Sequence, residues 1–485
     1  MPRIHINPKV SVSVVFVAAM FMNIMDITIV NVALPAIGRQ FHETTAALDS
    51  VAVGYLVSLA VFIPAAGWLG DRFGSKRMLL FAIAVFTGAS VLCGLAQSLP
   101  ELVGFRVIQG VGGGMLTPVG MAMLFRTFPP EERVRASSIL TVPTAVAPAL
   151  GPVLGGLLVT DLSWRWVFFV NLPIGVAAFI FGVIFLDEHL QPHPGPFDVP
   201  GFLLSGVGFA LLMFGISDGP SRGWDSPLIL GSIFVGLVLI ACLVPVELRT
   251  KQPLLQLRLF GNRLFRSTSL ALFFAMAGFL GVLFVVPLFF QIALGLSALA
   301  SGLNTFPEAI GVMVGAQLAS RILYPRFGPR RLVASGLVGI AVALALMTQV
   351  GFDTNLWWMR ILMFAMGFSM APVIVSTQAA SFATVSHAET GYASSLFNSQ
   401  RQLGSAAGVA LLATVLAAVG TTHVVAGHTV ANLAAYHAAF LVAAGVALIG
   451  SAVALTINDA DAAATMVRRH RSKPEPSPVN LEPAS

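Results

Sequence analysis

Arg72-Phe73-Gly74-Ser75-Lys76-Arg77 and Arg326-Phe327-Gly328-Pro329-Arg330-Arg331 are one short basic turn written twice, 254 residues apart. The same offset carries Arg106 onto Arg360, each at or near the start of the fourth apolar segment of its half. Two landmarks at one offset argue for a duplicated unit, where a single basic loop could recur by chance. Around them the chain is 56% hydrophobic and 10% charged, against about 25% charged in soluble domains. No soluble core could hide that much apolar surface, so the chain reads as an integral membrane protein.

A membrane span needs about twenty apolar residues. That rule gives about fourteen, at 10–37, 47–70, 77–97, 101–125, 136–159, 165–186, 199–217, 227–247, 267–293, 301–323, 331–350, 357–380, 391–419 and 435–457. The surplus between the two copies of the turn matches the spans at 199–217 and 227–247. The expected plan is a six-helix bundle over 1–186, two added helices with linkers over 187–258, and a second six-helix bundle over 259–460. A cytoplasmic tail, 461–485, follows, and its Pro, Ser and charges from Arg468 onward read as disordered. Parallel half-repeats about an axis normal to the membrane are a transporter architecture, with the ligand site near the midplane between the halves.

The net charge of +6 could suggest a nucleic-acid partner, but 21 of the 27 basic residues fall in alternate connections. That asymmetry is the positive-inside pattern and puts both termini in the cytoplasm. The connection Asp187–Asp198 breaks it, having no Lys or Arg. Cys93 and Cys242 sit inside apolar runs without metal-like spacing and read as small core residues. The His189/His193 pair lies between prolines in a loop, so no metal is expected. No Ser-His-Asp, HExxH or P-loop arrangement is present, and no soluble domain could house one, so no catalytic residue is expected and an enzyme is disfavoured.

Asp26 is the anomaly of the first span. A carboxylate at mid-bilayer costs about 2.5–3.5 kcal/mol even on insertion scales, so such residues face a polar interior and usually carry a function. The alternative is polar glue between helices, for which Ser, Thr, Asn and Gln are the common choices. Asn23, three residues back, shares its face. Arg106 in the fourth span needs a partner or water, unless it snorkels outward near the extracellular end. The run Gly110-Val111-Gly112-Gly113-Gly114 lets another backbone approach. Glu308, beside Pro307, has three open readings: a second protonation site, a ligand for cationic groups, or a residue at the mouth.

Three motifs carry a resemblance. The loop Gly67-Trp68-Leu69-Gly70-Asp71-Arg72-Phe73-Gly74-Ser75-Lys76-Arg77 resembles the signature loop of the major facilitator superfamily, and Pro325 stands where the second copy would have its acid. Arg106-Val107-Ile108-Gln109-Gly110 is similar to that superfamily's fourth-helix motif. Gly151-Pro152-Val153-Leu154-Gly155-Gly156 resembles the antiporter motif of its exporters, with Ala147 where a glycine is common. Together with fourteen spans and a first span ending Asn31-Val32-Ala33-Leu34-Pro35, the chain resembles the fourteen-span drug:proton antiporters over nearly its whole length.

The resemblance implies a bacterial cytoplasmic-membrane exporter that moves amphipathic, cationic drugs or toxic small molecules by alternating access. A proton gradient would stand in place of any cofactor. It assigns proton and substrate coupling to Asp26 and Arg106, a first-helix motif to Thr28, Asn31 and Pro35, and the transport switch to Gly67, Asp71, Arg72, Gly74, Lys76 and Arg77. Gly151, Pro152, Gly155 and Gly156 would form a helix that seals against its counterpart in the other half. Glu308 is a further candidate for coupling. The 391–419 span, with Arg401 as an anchor at its cytoplasmic end, would meet the Asp71 loop. Proton and substrate would exclude each other at Asp26, since a desolvated carboxyl favours its neutral form. The partners expected are small molecules, protons and the bilayer, with no nucleic acid; a periplasmic adaptor is left open. The rival functions are a dedicated exporter of one metabolite or antibiotic and a proton-coupled nutrient symporter.

Overall fold

In lipid no water bonds the backbone N–H and C=O groups, so long apolar runs satisfy themselves as helices. The computed structural model, which describes residues 6–43, 45–190, 195–425 and 428–466, is built accordingly. Six long helices come first: α1 (Pro8–Phe41), α2 (Thr45–Phe73), α3 (Ser75–Leu95), α4 (Leu99–Thr127), α5 (Arg133–Asp161) and α6 (Trp166–Phe185). Next are α7 (Val199–Arg222) and α8 (Pro227–Arg249). The second set is α9 (Arg263–Leu288), α10 (Ala298–Leu318), α11 (Tyr324–Met347), α12 (Leu356–Ser381), α13 (Thr390–Val419) and α14 (Leu433–Ala454). Every expected span has its helix. The tail from Arg468 and His193 lie outside the described residues.

Two stretches need an argument to be counted. Ala300–Met347 is apolar and helical for 48 residues, which at 1.5 Å per residue is about 70 Å, over twice a bilayer core of about 30 Å. It holds four arginines near its middle and breaks at Gly328, where φ is 74° and ψ 168°. It is therefore two crossings, α10 and α11. Helix α5 bends by 40° between Pro148 and Val153, where its Gly-Pro step falls.

Both described ends lie on one face. Lys9 pairs with Glu132 at 2.6 Å in the turn Pro130–Glu132. The last described turn, Ala463–Met466, packs on that same turn. The basic connections gather there, so this face is called the basic end.

The two copies of the basic turn are built alike. Gly74 and Gly328 both hold φ in the left-handed region, 98° and 74°, which glycine alone enters freely. Each is followed by a helix whose first N–H groups are capped by a distant carboxylate. Glu188 accepts from Lys76 N at 2.9 Å and Arg77 N at 3.2 Å, and Asp459 accepts from Arg330 N at 2.8 Å. Acids suit a helix N-terminus. This explains the connection after α6 that lacks bases: its acid docks on α3.

Between the halves, α2 packs on α13 and α5 on α10, while α7 covers the α2–α13 seam and α8 lies outside α7. Asp198 and Glu247 pin the linker after α8 by accepting from Leu254 N and Leu255 N. One expectation is corrected: Cys242 is exposed on the outermost helix, so only Cys93 is a core residue. The connection after α13 forms a short two-stranded antiparallel hairpin, β1 (Thr422–Val425) and β2 (His428–Ala431).

The glycines of α4 set how close its neighbours come. A Cβ on Gly112 would lie 2.7 Å from Phe86 N and 2.8 Å from Ala82 O of α3. Backbone on backbone has nowhere to yield. Gly112→Leu is therefore expected to cost about 3 kcal/mol, at the upper end of overpacking, read as a lowered melting temperature of the purified protein in detergent. An unchanged melting temperature would refute this packing.

Candidate functional site

The site starts from the cost of burying charge: an ion without water must be paired and hydrogen-bonded. Asp26 and Arg106 are both buried and meet, Arg106 Nη1 donating to Asp26 Oδ2 at 2.5 Å. The other carboxylate oxygen, Oδ1, accepts from Gln109 Nε2 at 2.9 Å and Asn171 Nδ2 at 3.2 Å. The guanidinium also donates to Gln109 Oε1 at 2.7 Å and, through Nε, to Val51 O at 3.4 Å. Its plane lies 4.2 Å from the Tyr55 ring centroid, a cation–π contact. Tyr55 in turn donates to Asn23 Oδ1 at 2.6 Å, and Asn23 donates to Gly113 O at 3.1 Å. Asn171 extends the network to Ser90 Oγ at 3.1 Å.

Five helices thus converge on one ion pair, α1, α2, α3, α4 and α6, all of the first half. The glycine run of α4 makes this possible. A Cβ on Gly113 would touch the Tyr55 hydroxyl, and one on Gly114 would lie 2.6 Å from Leu59 O. The outward-snorkelling reading of Arg106 is excluded, since it is 1% exposed. The second half does not repeat the pair. Position 280, matching Asp26, is Leu280, and Arg360 donates through Nε to Asn304 Oδ1 at 2.8 Å instead.

The carboxyl of Asp26 faces into the first-half bundle. The accessible residues of α1 fall on another stripe, Phe21, Ile24, Thr28, Asn31 and Pro35, nearly half a turn away for Ile24 and Thr28. Of the first-helix motif, Thr28 bonds Met25 O of its own helix at 3.0 Å and touches α5, while Asn31 and Pro35 are exposed.

The switch loop forms a clasp at the basic end. Asp71 pairs with Arg126 of α4 at 2.6 Å, and Arg126 reaches Ser75 Oγ and, across the halves, His387 O at 3.3 Å. Gly67 N donates to Ser395 Oγ of α13 at 2.8 Å. A Cβ on Gly391 would lie 3.0 Å from Asp71 Oδ2, so bare backbone is needed there. Lys76 caps the end of α6, donating to Val183 O and Leu186 O, and Gly74 forms the left-handed turn described above. Arg72 and Arg77 are exposed. Ser394 Oγ donates to Pro118 O at 2.7 Å, Asn398 Nδ2 to Met121 Sδ, and Arg133 to Phe382 O. Among the described residues, every hydrogen bond between the halves lies toward the basic end. The protein is closed there.

Two expectations change at α5 and α13. Gly151 and Gly155 pack on Thr28, Ile29 and Val32 of α1, so the motif joins helices of one half. The helix itself does pack on α10 of the other half, and within the motif Val153 lies against Gly302 there. Gly156 faces open space, and the side chain of Pro152 lies outside the description. Arg401 is no anchor at the basic end. It lies eleven residues into α13, half-buried, and among the described residues its guanidinium makes no hydrogen bond or ion pair. Glu308, 4% exposed, belongs to the second half, has no partner in the described residues, and does not join the Asp26 network.

Sequence reasoning missed Gln109, Asn171, Ser90, Tyr55 and Arg126. Asn171 and Gln109 did leave a signal, as amides inside apolar spans that needed partners. Arg126 left none, being one base among many in a basic connection.

Comparison with known proteins agrees with this architecture. The sequence profile of the Major Facilitator Superfamily matches residues 16–409 and 309–481. A multidrug resistance protein B homolog of Mycobacterium tuberculosis is 33% identical over 408 residues, 83% of this chain and 75% of its own. A putative multidrug resistance protein MdtD of Escherichia coli is 33% identical over 413 residues, 83% of this chain and 85% of its own. Among solved structures, the human organic anion transporter MFSD10 aligns with a TM-score of 0.66 at 17% identity, covering 92% of this chain and 99% of that one. The proton:xylose symporter XylE aligns at 0.61 and 17%, covering 92% and 95%. At that identity the two structures speak for the fold alone.

Proposed function

Since the chain belongs to the Major Facilitator Superfamily and is a multi-pass membrane transporter rather than an enzyme, we propose that it exports amphipathic, mainly cationic small molecules in exchange for protons. The observation that carries the coupling is the buried Asp26–Arg106 pair. The names of the multidrug-resistance relatives support export as the direction. The basic end is taken as cytoplasmic by the positive-inside rule, with both termini there and the cytoplasmic membrane of a bacterium as the setting. The described state is then closed to the cytoplasm. The two six-helix units, 1–186 and 259–460, rock against each other, with the 187–258 segment riding on their seam.

In this reading Asp26 acts through Arg106 rather than by touching substrate. A proton on the carboxyl removes the charge that holds the guanidinium. Losing one partner of a buried pair costs about 3–5 kcal/mol, a shift of about two to three and a half orders of magnitude in a conformational equilibrium. Moving a two-state system from 1:99 to 99:1 takes about 5.5 kcal/mol, so one proton supplies most of what the switch requires. Arg106 then seeks other acceptors, α1 and α4 shift, and the clasp at Asp71 and Gly67 opens. Substrate loaded from the cytoplasm favours the deprotonated pair, and exchange follows because the two ligands favour opposite states.

The test is direction. Cells stripped of their own exporters and expressing this chain are expected to hold several-fold less ethidium than control cells, and a protonophore should abolish the difference. Higher accumulation than in controls would make the protein an uptake symporter.

A further inference from the structure

The second copy of the basic turn is left over by this mechanism. In the first copy two of the bases are answered within the protein: Lys76 donates to Val183 O and Leu186 O, and Arg77 Nε lies 3.7 Å from Glu188. In the second, Pro325 stands where the acid would be, and Asp459 is spent on the backbone N–H of Arg330. Arg321, Arg326, Arg330 and Arg331 are all exposed. Among the described residues their guanidinium groups make no ion pair or hydrogen bond. Like charges gathered at one turn favour an anion from outside the chain.

Beside them lies a groove of about 380 Å³, within the range of about 300–1,000 Å³ for ligand pockets. Phe368 and Pro372 of α12 line it, the α10–α11 connection contributes Leu323 and Phe327, and α11 adds Arg331 and Ser335. The neighbours of α11 fix which way it opens. Gly336 faces α12, where a Cβ would lie 2.6 Å from Ser369 O, and Ala334 O accepts from Ser451 of α14 at 3.0 Å. Arg331, Ser335, Val338 and Val342 are exposed and form one stripe between those two contacts. An exposed valine stripe on a spanning helix meets lipid, so the groove opens outward to the bilayer at the basic end, with Arg331 at its edge.

We propose that this groove binds one anionic phospholipid of the cytoplasmic leaflet, an acyl chain lying along Phe368 and Pro372 and the headgroup phosphate on Arg331 and the arginines around it. Both ends of such a lipid are matched. The groove is apolar below its rim, and a guanidinium holds phosphate by charge-assisted hydrogen bonds. Basic pockets between helices on the cytoplasmic side suit anionic headgroups. The site stands apart from the export reading, since it needs only the fold and a basic end that faces the cytoplasm.

The test uses the purified full chain, delipidated in detergent and titrated with phosphatidylglycerol or with phosphatidylcholine of the same chains. Bound lipid is counted by native mass spectrometry, and each variant's melting temperature is compared with and without lipid, so that lost stability is not read as lost binding. Wild type is expected to hold one phosphatidylglycerol about tenfold more tightly than phosphatidylcholine and to melt higher with it. Arg331→Gln should weaken phosphatidylglycerol about fivefold and Arg321→Gln/Arg331→Gln about twenty-five-fold. Arg249→Gln, an exposed base at the same end on α8, should leave binding unchanged. Ser335→Trp, which fills the rim, should weaken both lipids about tenfold. Equal losses in Arg331→Gln and Arg249→Gln would spread the lipid over the whole basic face and overturn the site. Undiminished binding in Ser335→Trp would take the chain out of the groove. Displacement of the lipid by millimolar inorganic phosphate would make the ligand a free anion and overturn the lipid assignment.

Discussion

Asp26→Asn is expected to abolish pH-gradient-driven export, to the level of vesicles without the protein, and to destabilise the fold. Asparagine can still accept from Gln109, whose Nε2 lies 2.9 Å from Oδ1, but it carries no charge to answer Arg106. A buried guanidinium left unpaired costs about 3–5 kcal/mol, which would appear as a markedly lower melting temperature in detergent. The double variant Asp26→Asn/Arg106→Gln removes both charges and replaces them with groups that hydrogen-bond. It should recover most of the melting temperature and none of the gradient-driven transport. That split separates coupling from folding. If Asp26→Asn transports at the wild-type rate, the coupling role is wrong; if the double variant regains transport, the pair is structural.

The second large effect is expected at the clasp. Asp71→Asn removes the partner that holds Arg126, and Arg126 is the side chain that reaches His387 O across the halves. Both members are nearly buried, 3% and 6% exposed, so the loss sits at the lower end of about 3–5 kcal/mol, roughly a hundredfold in the closed-to-open ratio. Exposed Arg135 and Ala388 lie at the basic end on opposite halves. Cysteines placed there, with the exposed Cys242 changed to Ser, can carry spin labels. The distance distribution should shift from one short population to a longer one in Asp71→Asn, with export reduced at least tenfold. An unchanged distribution would remove Asp71 from the switch.

The fold was legible because the constraints on it are one-dimensional. Span length, basic asymmetry and the 254-residue repeat are all written along the chain, and each leaves a helix little choice in lipid. Even the exception is consistent, since the connection after α6 lacks bases because Glu188 is needed at the start of α3. The site was legible only in part. Asp26 and Arg106 stood out separately as charges in apolar runs, yet nothing in the spacing said that they bond each other. The pairing depends on how α1 and α4 pack once the glycine run of α4 has seated α2 and α3, a property of the packed bundle. Arg126 was hidden for the opposite reason, because a functional base in a basic connection resembles its neighbours. Gly151 and Gly155 had a readable shape, but not the side they face. Arg401 was misplaced since the sequence leaves the start of its helix uncertain, and only the folded helix, beginning at Thr390, puts the residue well inside it.

The exchange of substrate for protons is tested most directly by counting both in one experiment. Purified protein is reconstituted into liposomes holding a pH-sensitive dye, and ethidium is driven down its own concentration gradient with no pH gradient imposed. Protons should move opposite to ethidium, at a fixed ratio, in wild type and not in Asp26→Asn/Arg106→Gln. Ethidium movement without proton movement, or with protons travelling in the same direction, would contradict the account.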